Sequence, residues 1–64
     1  MSRKRSGLLV LQLWLEDETP LRLRARIRAI ADLASGVERT QTAAGVDDIL
    51  DAVSAFLRAM AGEV

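Results

Sequence analysis

The sequence predicts an α+β domain: a three-stranded antiparallel meander packed on one C-terminal amphipathic helix, in the order β-β-β-α. Three observations carry that prediction. Residues 8–16 (LLVLQLWLE) and 21–33 (LRLRARIRAIADL) both alternate with a period of two, and an acid-rich turn separates them. Val46, Ile49, Leu50, Val53, Phe56, Leu57 and Met60 recur at helical spacing. Between these segments lies "VERTQTA", a short run that is polar on both faces, as suits a strand at the edge of a sheet.

Residues 1–7 (MSRKRSG) are polar and basic and end in glycine, which predicts a flexible basic tail ahead of a single domain over 8–64. In the first strand Leu9, Leu11, Leu13 and Leu15 share one face, and Leu8, Val10, Gln12, Trp14 and Glu16 share the other. The strand needs a partner for its backbone groups, and the nearest lies just past "EDETP". Pairing residue 15 with 21, 13 with 23, 11 with 25 and 9 with 27 makes the two apolar stripes coincide. It also sets Trp14 beside Arg22 and Arg24 on the opposite face.

Residues 21–33 can also be read as a helix, because arginine, leucine and alanine are strong helix formers. Arginines at 22 and 24 would then sit near a helix N-terminus, where the macrodipole disfavours cations. The matching alternation of the preceding strand decides for a central strand. The helical alternative would give a basic tail, one strand and two helices, the order of ribbon–helix–helix DNA binders. In that arrangement Leu8, Val10, Gln12 and Trp14 would face DNA, and they are poor readers of bases.

Ala34-Ser35-Gly36 marks the next turn, leading to the edge strand with Thr40 and Thr42. The final helix follows Gly45, carries Asp47 and Asp48 in its first turn and Arg58 near its end, and stops at Gly62. Leu11, Leu13, Leu23, Ile27, Ile49, Leu50, Val53, Phe56 and Leu57 are the expected core.

"LQLWLE", "RARIRAIADLASGVE" and "VDDILDAVSAFL" together resemble a group of small uncharacterised bacterial proteins. In that group a Trp-containing first strand ends in an acid, an Arg-rich strand follows, a Ser-Gly turn leads to an edge strand, and a Leu-rich helix closes the chain. The likeness spans Leu8 to Leu57. It implies the β-β-β-α order and carries no activity, ligand or catalytic residue. The chain departs from the group at Ala25, where glycine is common, and in having no aromatic residue in the third strand.

Composition narrows function. At 64 residues the chain makes one domain at most, and domains this small bury only roughly 60% of the surface their unfolded chains expose. There is no cysteine and no histidine, so disulfides and the usual zinc, haem and iron–sulfur ligand sets are missing. Serines and threonines have no histidine to activate them, and Gly36 and Gly45 are isolated rather than part of a phosphate loop. The acids at Glu16, Asp17 and Glu18, and at Asp47, Asp48 and Asp51, are read as turn and helix-dipole residues rather than a metal site. No enzymatic activity and no cofactor are expected. The apolar run Leu8–Leu15 is broken by Gln12 and falls far short of the ~20 residues that span a bilayer. The basic, apolar start lacks a small-residue cleavage site, so a soluble cytoplasmic protein without a membrane partner is the expectation.

Half the residues are hydrophobic while the net charge is zero. That combination points to a surface that pairs with something, and it argues against a strongly basic nucleic-acid binder. Val10, Trp14, Arg22, Arg24, Arg26 and Arg28 form the candidate interaction surface, on the sheet face turned away from the helix. A tryptophan–arginine centre is the usual composition of an interface hot spot. The function expected is therefore a small non-catalytic protein-interaction module that self-associates, as a homodimer through its open sheet face or edge, or binds another protein. The alternative is a nucleic-acid accessory protein using the same arginines, against which stands the single tryptophan available for stacking.

Overall fold

The computed structural model describes residues 4–17 and 22–62. It has four elements: β1 (Leu8–Glu16), β2 (Arg22–Ile30), β3 (Arg39–Ala44) and α1 (Val46–Ala61). The strands form one antiparallel sheet in the order β1-β2-β3. The architecture is the β-β-β-α meander, with β2 in the centre. Because residues 22–30 form a strand, the ribbon–helix–helix order is ruled out. The turn residues Glu18, Thr19 and Pro20, together with Leu21, lie outside the described residues.

The alternation after Ile30 does not extend the strand to Leu33. Asp32 diverts the backbone: its carboxylate accepts from the Ala34 N–H at 3.1 Å, and its carbonyl accepts from the Ser35 N–H and hydroxyl at 3.1 and 2.8 Å. Such short-range bonds offer the chain an alternative to the sheet ladder. The turn is anchored from outside, since the Leu33 N–H donates to the Ser6 carbonyl at 2.8 Å.

The β1–β2 register differs from expectation by two residues. Leu15 pairs with Leu23, Leu13 with Ala25, Leu11 with Ile27 and Leu9 with Ala29. A shift of two leaves every side chain on its expected face, so the hydrophobic pattern cannot tell the two registers apart. The observed one uses all nine residues of both strands and sets Glu16 opposite Arg22. An acid assigned to the turn thus becomes part of a cross-strand pair of opposite charge.

Gly45 alone joins β3 to α1, and it fixes where the helix lies. Its N–H donates to the Leu23 carbonyl at 2.7 Å, while its carbonyl accepts from the Ile49 N–H at 3.2 Å. This requires φ 84° and ψ 163°, a region essentially restricted to glycine. Tied to the end of β2, the helix runs over β3 and β2 rather than β1. At its other end, Gly62 adopts the left-handed cap, with its N–H directed at the Ala59 and Arg58 carbonyls. Arg5, read from the sequence as tail, donates to the Ala59 and Met60 carbonyls at 3.2 and 3.1 Å. A cation at a helix C-terminus complements the dipole.

The core is small. Ala25, Ile27 and Ile49 are buried, with Leu9, Leu23, Ala43, Ala52 and Val53 packed around them. Ala25 is fully covered, which accounts for a small side chain at that position beneath the helix. Four expected core residues are exposed instead: Leu11, Leu13, Leu50 and Leu57. A helix is about 10–12 Å across and strands lie about 4.8 Å apart, so one helix covers roughly two strands. With α1 placed over β2 and β3, most of β1 is left bare.

Candidate interaction surface

The open face of the sheet is built from the even-numbered residues, as alternation requires. The register lays them out in rows across the three strands. Val10, Arg28 and Thr40 form one row; Gln12, Arg26 and Thr42 the next; and Trp14, Arg24 and Ala44 a third, with Glu16 and Arg22 at the end. All six residues singled out from the sequence, Val10, Trp14, Arg22, Arg24, Arg26 and Arg28, therefore share one face.

Acids temper the arginine stripe. Arg28 Nη2 lies 3.0 Å from Glu38 Oε1, in a charge-assisted hydrogen bond. Arg24 Nε is covered and lies 3.4 Å from Glu16 Oε1, within ion-pair range but outside hydrogen-bond geometry. Among the described residues Arg26 makes no ion pair, and it stands between Gln12 and Thr42. Glu38 is not marked as a partner by the sequence, because it precedes β3 and its reach back to Arg28 depends on the β2–β3 turn.

The other face carries a second apolar surface, which includes Leu11 and Leu13 of the expected core. Leu11, Leu13 and Leu15 are exposed there, at 39%, 53% and 63% of their full area, along the part of β1 the helix does not cover. Leu8, Val10 and Trp14 are exposed on the opposite side of the same strand. β1 thus shows apolar side chains on both faces, and among the described residues no strand lies beside its outer edge. Glu16 is its only charged residue, and it contains no proline. The opposite edge is guarded: β3 is six residues long and begins Arg39, Thr40, Gln41, Thr42. Short, polar, charged edges resist pairing, whereas a long apolar one invites it.

Between α1 and the sheet lies an open groove of about 780 Å³, bordered by Leu9, Ile27, Ala29, Ala52, Phe56 and Ala59. It exists because the helix presents mostly alanines over this stretch. Its lining is completed by polar residues of the β2–β3 turn and of β3, among them Asp32, Ser35, Arg39 and Gln41. Among the described residues, no three acidic side chains are placed to hold a metal ion.

No helix among the described residues is long and apolar enough to cross a membrane. No family model matches the chain, and neither the curated proteins nor the solved structures contain a match to it.

Proposed function

We propose that this protein is a small, non-catalytic, cytoplasmic interaction module that works by self-association, with β1 as the contact element. One observation carries the reading: a nine-residue edge strand with apolar side chains exposed on both faces and, among the described residues, no strand beside its outer edge. The composition of the strand supports it: Leu8, Val10, Leu11, Leu13, Trp14 and Leu15 are all large apolar residues at least 38% exposed. The absence of cysteine and histidine fits a role in binding rather than catalysis.

The reading as a nucleic-acid platform draws less support from the same face. Arg24 and Arg28 are engaged by carboxylates, and Trp14 is the chain's single tryptophan, where platforms for single strands use several aromatic residues. The test is the mass in solution, by sedimentation equilibrium across a concentration series. A dimer or higher assembly at micromolar concentration supports the proposal. A monomer throughout, up to the highest soluble concentration, rejects it.

A further inference from the structure

We infer that two chains join β1 to β1 antiparallel, about a two-fold axis through Gln12, to make one continuous six-stranded sheet. This rests on the self-association reading and adds the geometry of the contact. Of the two sheet edges, that of β1 is the longer, at nine residues against six, and lacks the polar guard of β3. Symmetry then restricts the register. An antiparallel pair of identical strands related by a two-fold axis keeps each face of one chain level with the same face of the other. Odd residues therefore meet odd residues, and one residue must pair with itself.

Full overlap of Leu8–Glu16 with its copy places that self-paired residue at Gln12, the midpoint of the strand. On the helix side, Leu9 then meets Leu15 and Leu11 meets Leu13, each pair occurring twice, so the exposed leucines of both chains merge into one band. On the open side, Val10 meets Trp14, a β-branched–aromatic pair of the favourable cross-strand kind. The two Gln12 side chains can exchange amide hydrogen bonds at the axis. The two Glu16 carboxylates end up roughly 27 Å apart along the sheet, beyond the reach of mutual repulsion at physiological salt. The contact is a sheet edge joined to itself, with no catalytic or cofactor group involved.

Single cysteine substitutions test the register, since the chain has no cysteine of its own. Across an antiparallel pair, directly opposed Cα atoms lie about 4.5–5.5 Å apart, within disulfide range. Gln12→Cys should therefore cross-link to a covalent dimer under mild oxidation. Val10→Cys should not, because its copies would lie roughly 14 Å apart. Mixing Val10→Cys with Trp14→Cys should restore a cross-link, and only between the unlike chains. Registers shifted by two residues would place Leu11 or Leu13 on the axis, so preferential cross-linking of Leu11→Cys or Leu13→Cys overturns the inference. A dimer by mass that cross-links at none of these positions also overturns it, while self-association by another surface stands. A monomer by mass removes both.

Discussion

Trp14 and Arg24 stand directly opposite one another in the β1–β2 ladder, and the Arg24 guanidinium turns along the strand toward Glu16. The indole is thus left 38% exposed on the open face, next to the free edge of β1. In the proposed dimer it meets Val10 of the second chain and loses part of its contact with water. The emission of this single tryptophan should shift to longer wavelength on dilution, following the same concentration dependence as the mass. An emission maximum that stays fixed while the assembly dissociates would place the contact elsewhere.

Ile27 is 2% exposed and belongs to a core of three buried residues among those described, with Ala25 and Ile49. Ile27→Ala should cost about 2–5 kcal/mol, the range for aliphatic truncation in a packed interior. In a domain this small, that is a large share of its stability. Leu50→Ala, on a helix position 58% exposed, should cost about 0.5 kcal/mol or less. Urea denaturation of the two variants separates them. Comparable losses would mean that the exposed helix face is covered in solution, by a second chain or another partner.

That contrast marks where the sequence was legible. Period-two alternation identified β1 and β2 and their faces, because alternation depends only on parity, while β3 was legible from its threonines and its polar run. The register was not legible, since slipping by two residues preserves parity; the observed one sets Glu16 opposite Arg22 in the ladder, with its carboxylate 3.4 Å from Arg24 Nε. The helix was legible from its spacing, with Gly45 and Gly62 at its ends. Its position across the sheet was not. That depends on a one-residue link and a hydrogen bond to the Leu23 carbonyl, neither of which leaves a pattern in the hydrophobic residues. Leu11 and Leu13 thus read as core and are exposed. The candidate open-face residues were legible as a set, but the partnering of Arg28 by Glu38 was not.

Gly7 is a site of close approach rather than of unusual backbone angle. A Cβ there would lie 2.9 Å from the Ile30 carbonyl oxygen and 2.8 Å from the Met60 sulfur. The sulfur can move, but the backbone oxygen of β2 cannot without disturbing the sheet. Gly7→Ala should lower stability by about 1–3 kcal/mol, as overpacking does. Met60→Ala in the same chain should recover little of it. Thermal unfolding of the single and double variants measures both, and full recovery in the double variant would show that the Ile30 contact yields.

The ion pairs at Arg24 and Arg28 bear on nucleic acid. With Arg24 and Arg28, two of the four arginines on the face, engaged by carboxylates, fewer counterions are released on meeting phosphate, so binding to single-stranded DNA or RNA should be weak, with a shallow dependence on salt. Fluorescence anisotropy with labelled oligonucleotides over a salt series reads this directly. Tight binding that falls steeply with salt and disappears in Arg24→Glu would reassign the open face to nucleic acid.

Leu13→Lys offers the sharpest separation of fold from assembly. Leu13 is 53% exposed and opposes Ala25 of its own sheet, so a lysine there can extend its ammonium into water with little loss of packing. In the proposed dimer the same position faces Leu11 of the other chain within the leucine band. The cross-strand Leu11–Leu13 contacts are then lost, and two ammonium groups stand roughly 7 Å apart along the sheet across the axis, a like-charge pair. About 1.4 kcal/mol from these changes together would weaken association roughly tenfold. Circular dichroism should keep the β-β-β-α signature while sedimentation shows monomer at concentrations where the unsubstituted chain is dimeric. If Leu13→Lys unfolds the chain instead, the leucine face is part of the fold of each monomer, and a compact dimer built on β1 is not needed to explain its apolar residues.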